Sequence, residues 1–122
     1  MKVLITGGAG FVGSHLAERH LNMGDEVSII DNLSTGMMSN VQHLEVNAKF
    51  RCVIDDVLNA EVMQGLVEEC DLIYHLAAAV GVNFIIDNPL RSLTTNIRGT
   101  EIILELANAN KKKVLLASTS EI

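Results

Sequence analysis

Val3-Leu4-Ile5-Thr6-Gly7-Gly8-Ala9-Gly10-Phe11-Val12-Gly13-Ser14 is an apolar strand that runs into glycines spaced three apart and then into a helix. Each glycine has its own task in such a turn. Gly7 permits the tight turn off the strand, Gly10 lets the backbone come close to a pyrophosphate, and Gly13 lets the helix lie close on the sheet. The helix start then offers free backbone N–H groups and the positive end of its dipole to a diphosphate. Glycine-rich turns that bind nothing are common, so context decides. This one follows a strand, opens a helix and has an acid 18 residues beyond Gly13, at Asp31. The stretch reads as a dinucleotide-binding turn.

The rest of the composition fits one such domain. A chain of 122 residues suits a single unit, residues 1–122, and at this size about two thirds of the unfolded surface can be buried. Hydrophobic residues make up 48% and aromatics 3%, so the core has to be aliphatic. Parallel sheets covered on both faces favour that composition. A net charge of −6 and a pI of about 5.0 argue against a nucleic-acid partner. The one basic run, Lys111-Lys112-Lys113, suits a solvated helix C-terminus. Val3-Leu4-Ile5 is too short for a signal peptide and no segment reaches membrane-spanning length, so a cytoplasmic chain without a membrane partner is expected. Cys52 and Cys70 lack metal-ligand spacing and are expected as two buried thiols. His15, His20, His43 and His75 suggest no metal site.

Along the chain, a strand at 2–6 leads to a helix at about 11–23, with Val12, Leu16, Ala17 and Leu21 near helical spacing and Gly24 at its end. Glu26 to Asp31 is a second strand. Residues 32–48 read as a loop with room for one helical turn, and Phe50 to Ile54 as a third strand. A helix at about 59–69 and a fourth strand at Leu72 to Leu76 follow. Asn88-Pro89 starts a long helix, with Asn as N-cap and Pro in the first turn, that reaches about Ala109. Val114 to Ala117 is a fifth strand. Alternation at this spacing predicts a Rossmann-type, doubly wound parallel α/β sheet of about five strands in the order 3-2-1-4-5.

Ligands of such sheets lie beyond the carboxyl ends of the strands, where the strand order reverses. Asp31 can accept both ribose hydroxyls of an adenosine, and its charge repels a 2′-phosphate. Asn32-Leu33-Ser34-Thr35-Gly36 holds no Arg or Lys to balance such a phosphate, which favours NAD over NADP. Asp56 with Val57 is placed to hold the adenine amino group and cover its face, or else Asp56 simply caps a helix.

Thr6 to Leu16, Asp31 to Gly36, His75-Leu76-Ala77-Ala78, Asn96 with Gly99-Thr100, and Ser118-Thr119-Ser120-Glu121 resemble, in order, motifs of the extended short-chain dehydrogenases. The resemblance is to the NAD-dependent nucleotide-sugar epimerases, decarboxylases and dehydratases, and it covers the N-terminal third or so of such an enzyme. It implies that Phe11 and Val12 offer N–H groups to the pyrophosphate. Leu76, Ala77 and Ala78 would line the path to the nicotinamide ribose, and Asn96 would fix the neighbouring helix. It also implies oxidation of the sugar C4 hydroxyl to a transient ketone. Thr119 or Ser120 would hydrogen-bond that hydroxyl, and Glu121 matches the position of an added acid/base in decarboxylases and dehydratases.

One departure limits the expected activity. The family base is a Tyr-x-x-x-Lys pair, but the only tyrosine here, Tyr74, has Ala78 four residues on. The reading is therefore of a truncated cofactor half without a substrate domain, inactive alone and binding nucleotide sugar only in a longer protein. A standalone non-catalytic nucleotide-binding or regulatory module is the alternative. In the last helix, Leu93, Ile97, Thr100, Leu104 and Ala107 are expected to face the sheet and Ile102, Ile103 and Leu106 to face outward, favouring a homo-oligomer.

Overall fold

The computed structural model describes residues 1–34, 36–76 and 89–116, with side chains of the last stretch from Ile97 onward. Its elements are β1 (Lys2–Thr6), α1 (Phe11–Asn22), β2 (Glu26–Asp31), β3 (Phe50–Ile54), α2 (Ala60–Glu69), β4 (Leu72–His75), α3 (Pro89–Asn110) and β5 (Lys113–Leu116). The five strands are all parallel, in the order β3-β2-β1-β4-β5. The loop at 32–48 holds two short 3-10 turns, Met38–Asn40 and Gln42–Leu44, rather than one. Asn88 and Ala117 lie outside the described residues.

The central strand explains why its sequence is an unbroken apolar run. Val3, Leu4, Ile5 and Thr6 of β1 are all buried, because β1 pairs on both edges and is covered on both faces. Leu4, Ile30 and Ile73 face Met63, Leu66 and Val67 of α2 with Ile102, Ile103 and Ala107 of α3. Val3, Ile5, Val27 and Ile29 face Ala17 and Leu21 of α1 with Val41 and Leu44 of the following loop. Cys70 belongs to the first layer and Cys52 packs against the second. Both thiols are free. Burial pushes the Cys70 thiol up to about 11, and burial with the charges of Glu45 and Asp31 raises Cys52. Neither is a ready nucleophile.

The helix ends follow their residues. α1 closes in a Schellman turn, with the Asp25 N–H on the His20 carbonyl at 3.0 Å and the Gly24 N–H on the Leu21 carbonyl at 3.0 Å. Gly24 supplies the left-handed residue, φ +88°. The end of α3 repeats that pattern: the Lys112 N–H reaches the Ala107 carbonyl at 2.8 Å while Lys111 holds φ +55°. Asn59 caps α2, its side chain accepting the Val62 N–H.

The orientation of α3 corrects the sequence reading. Gly99, Ile102, Ile103 and Ala107 are buried and Leu106 packs beside them, whereas Ile97 and Leu104 are 50% and 45% exposed. Of the expected inner face, Ala107 alone is buried; Thr100 is half-buried, and the Leu93 side chain lies outside those described. Charge decides the rotation. The Ile97 and Leu104 face also carries Glu105 and the Arg98–Glu101 ion pair, and burying these charges costs far more than exposing two aliphatic side chains. Val12, read as part of the apolar stripe of α1, is likewise 64% exposed. No helix among the described residues is long and apolar enough to cross a membrane.

Candidate dinucleotide site

The glycine turn lies at the carboxyl end of β1, between β2 and β4, where the strand order reverses. Gly7 takes φ +72° and its N–H donates to the Ile30 carbonyl at 2.8 Å, so the chain leaves β1 by turning beside β2. A Cβ on Gly13 would stand 2.5 Å from the Gly7 carbonyl oxygen and 2.8 Å from Gly8 Cα, so the start of α1 lies close against the turn itself. A Cβ on Gly10 would meet the same oxygen at 3.3 Å. Gly8 lies off the three-residue period and was missed, yet its Cβ would stand 2.4 Å from Ile29 Cβ. Its tightness comes from the second strand, which spacing along the motif does not report.

Helix α1 begins at Phe11 with Gly10 as N-cap and no side chain capping it. The Ser14 N–H is the first to find an intrahelical acceptor, the Gly10 carbonyl at 2.9 Å. Helical geometry therefore leaves the N–H groups of Phe11, Val12 and Gly13 available, with the positive dipole end behind them. The Phe11 and Val12 side chains are exposed around that opening. Phe11 stacks on His15, ring centroids 4.6 Å apart.

Asp31 closes the site from β2. Its Oδ2 accepts the Ala9 N–H at 3.0 Å and its Oδ1 the Leu33 N–H at 2.7 Å, and the residue is 8% exposed. Leu33 reaches it in a left-handed conformation, φ +62°, uncommon for a residue with a side chain. Ala9 is held on its other side too. Its carbonyl accepts the Met37 N–H at 3.1 Å and Asn40 Nδ2 at 2.8 Å. The loop after β2 thus grips the glycine turn, and Met37 and Asn40 carry no motif signal that would have revealed it.

Asn32 accepts the Ser34 N–H at 3.0 Å and lies 3.4 Å from Asp56 Oδ2. That contact joins the ends of the paired strands β2 and β3. Asp56 Oδ1 accepts the Leu58 N–H at 2.9 Å. Val57 is 7% exposed and packs toward Gly99, so its side chain is mostly committed to the core rather than to a ligand face. At the end of β4 the Leu76 N–H donates to the Thr6 carbonyl and to Thr6 Oγ1. His75, assigned no role from sequence, braces this end: its Nδ1 lies 2.8 Å from Thr6 Oγ1 and its Nε2 3.4 Å from Thr100 Oγ1. Burial pulls its pKa below the ordinary value. Thr35, Ala77, Ala78, Thr119, Ser120, Glu121 and the Asn96 side chain lie outside the described set.

Other chemistry is sparse here. Among the described residues no three His, Cys, Asp or Glu side chains are grouped to hold a metal ion. A cavity of about 190 Å³ opens at the opposite ends of β1, β2 and β3, lined by Lys2, Glu26, Lys49 and Arg51 among others.

Comparison with known proteins agrees with this geometry. Residues 4–122 match the family described as GDP-mannose 4,6 dehydratase. The chain is 42% identical over 121 residues to UDP-glucuronic acid decarboxylase 1 of Danio rerio, covering 99% of this chain and 28% of that protein. It superimposes on a UDP-glucose 4-epimerase of Thermotoga maritima solved with UDP-glucose, with TM-score 0.86, 31% identity and coverage of 98% and 38%. A dTDP-glucose 4,6-dehydratase of Streptomyces venezuelae, solved with NAD bound, gives TM-score 0.84 and 32% identity over 93% of this chain and 38% of that one. The chain thus spans roughly a third of the length of these proteins. With the family matched over residues 4–122 and a five-stranded parallel sheet that superimposes on these structures, the chain belongs to the GDP-mannose 4,6 dehydratase family.

Proposed function

We propose that residues 1–122 form the NAD-binding portion of an enzyme that modifies a nucleotide sugar through a transient 4-keto sugar. One observation carries this reading: the Asp31 carboxylate touches the phosphate turn through the Ala9 N–H while standing at the end of β2. A single group so joins a diphosphate subsite to a ribose subsite. Each Asp31 oxygen accepts one backbone N–H, which leaves acceptor capacity for the two ribose hydroxyls.

The residues fit the cofactor. A glycine turn packed against the start of α1, three available N–H groups there, and an acid without a neighbouring cation from Asn32 to Ser34 suit an NAD diphosphate and an unphosphorylated ribose. Bound there, NAD supplies a hydride acceptor for a sugar hydroxyl. Gly10 to Gly13 would orient the diphosphate, Asp31 would fix the adenosine end, and Asp56 would hold the adenine amino group. Thr119 or Ser120 would hydrogen-bond the reacting hydroxyl and Glu121 would serve as an added acid/base, the roles their motif positions imply. Asn32, Ser34, Thr35 and Gly36 would border the ribose, and Leu76, Ala77, Ala78 and Asn96 the nicotinamide end.

Calorimetric titration tests the reading. The unmodified chain should bind NAD and discriminate against NADP. Asp31→Ala, which removes a charge-assisted bond worth about 1.5–3 kcal/mol, should weaken NAD by roughly tenfold or more. Equal affinity of the unmodified chain for both nucleotides would sink it.

A further inference from the structure

Gly36 has no side chain, and the space a side chain would take is filled by Asp31. A Cβ built on Gly36 would stand 2.7 Å from Asp31 Oδ2, 3.1 Å from Asp31 Cγ and 3.1 Å from the carbonyl carbon of Ala9. A carboxylate oxygen can usually swing away from an added methyl. This one cannot do so freely, because the same Oδ2 accepts the Ala9 N–H at 3.0 Å and Oδ1 accepts the Leu33 N–H at 2.7 Å. Moving the carboxylate breaks bonds to two backbone segments. Moving residue 36 instead strains the loop that returns to Ala9 through Met37 and Asn40, at 3.1 and 2.8 Å.

We propose that Gly36 is a specificity-determining positioning residue: its bare Cα seats the Asp31 carboxylate against Ala9 in the orientation that receives a ribose diol and repels a 2′-phosphate. The inference rests on the dinucleotide reading of the site and extends it. Gly36 acts through Asp31, so a side chain at 36 alters the choice between the two nucleotides and not merely the strength of binding. The left-handed Leu33 belongs to the same arrangement, since its N–H holds the second carboxylate oxygen. Backbone strain of this kind persists where surrounding contacts enforce it.

The test is a double-mutant cycle read by calorimetry with NAD and NADP on the unmodified chain, Gly36→Ala, Asp31→Asn and the double variant. Displacing one charge-assisted contact predicts that Gly36→Ala loses about tenfold in NAD affinity. Its NADP affinity should stay level or rise, so the NAD to NADP ratio falls. In the Asp31→Asn background the same glycine substitution should leave the ratio unchanged, because the group it acts through has lost its charge. Gly24→Ala, at the far end of α1, should leave the ratio unchanged as well.

Two results overturn the proposal: a parallel fall in both affinities, which marks general damage to the loop, or an undiminished effect of Gly36→Ala in the Asp31→Asn background. If Gly36→Ala is unfolded at the titration temperature, the melting temperature of the variant is measured and the ratio is read below it with the unmodified chain beside it, judged by the same criteria. A wild-type chain that binds neither nucleotide overturns the cofactor reading itself, and this proposal with it. Failure of the ratio to respond in a chain that does prefer NAD overturns the proposal alone.

Discussion

The Tyr74 hydroxyl lies 2.9 Å from Nε2 of His20, whose Nδ1 lies 2.8 Å from Asp25. The tyrosine therefore ties β4 to the last turn of α1. Replacing Tyr74 with Phe leaves a buried imidazole nitrogen without its hydroxyl partner, at a cost of about 1–2 kcal/mol. NAD affinity should be unchanged, and denaturant melts beside calorimetry check both halves. A loss of NAD binding greater than the loss of stability would place Tyr74 in the site after all.

Since this tyrosine is engaged elsewhere and is followed four residues on by Ala78 rather than Lys, so that the chain holds no Tyr-x-x-x-Lys pair, the chain alone should turn over no nucleotide sugar. Absorbance at the reduced-cofactor band and mass analysis of UDP-sugars after incubation are the measurements. A 4-keto sugar or reduced cofactor would show another residue acting as base.

Acid should loosen the fold in two stages. Burial holds the folded pKa of His75 below 6.5, so the unfolded chain takes up that proton first and stability falls as pH drops through about 6.5. The hydrogen bond from His20, followed by the N-terminal ammonium, holds the Asp25 carboxyl below 3.8 against the opposing effect of burial. Its contribution is whole above that value and is lost as pH falls through the folded pKa. Asp25→Asn should flatten the lower limb of a stability profile and leave the upper one. An unchanged lower limb would mean that the ion pair contributes nothing.

The two Schellman turns differ in their left-handed residue, and this makes a matched pair. A Cβ on Gly24 would meet nothing within 4 Å, so Gly24→Ala should cost only the conformational penalty of about 1 kcal/mol. Lys111→Gly should gain a comparable amount by relieving φ +55°. Chemical denaturation of both variants checks the signs.

Self-association is expected through the surface of α3 and β5. Ile97, Leu104, Leu115 and Leu116 are 45–52% exposed, and β5 is the outer strand of the described sheet. Light scattering should give a mass above 13.2 kDa, lowered by Leu104→Lys. Ile103→Lys is no test of association, because Ile103 is fully buried and a lysine there unfolds the layer beneath α3. A strictly monomeric chain at high concentration would refute the expectation.

The strands were legible because a parallel strand covered on both faces has to be apolar throughout, as Val3 to Ile5 and Val27 with Ile29 and Ile30 are. The rotation of α3 was not. Ile97, Ile102, Ile103, Leu104 and Leu106 surround that helix with apolar residues, and Arg98, Glu101 and Glu105 say which side is wet. Around the site, the glycine turn and the acid closing β2 could be placed from spacing, because Gly7, Gly10 and Gly13 recur three apart and Asp31 ends the next apolar run. Asn40 and Gly8 could not: one depends on the path of a loop and the other on a residue of the next strand.

Gly8 presses on Ile29 and Gly13 on the Gly7 carbonyl more tightly than Gly10 presses on anything. A lineage that stopped using its nucleotide would therefore not erode this motif evenly. Gly10 would drift first, whereas Gly8 and Gly13 would persist for as long as the sheet and α1 stayed packed. The surviving glycines of a degenerate copy would then record the architecture and not the ligand.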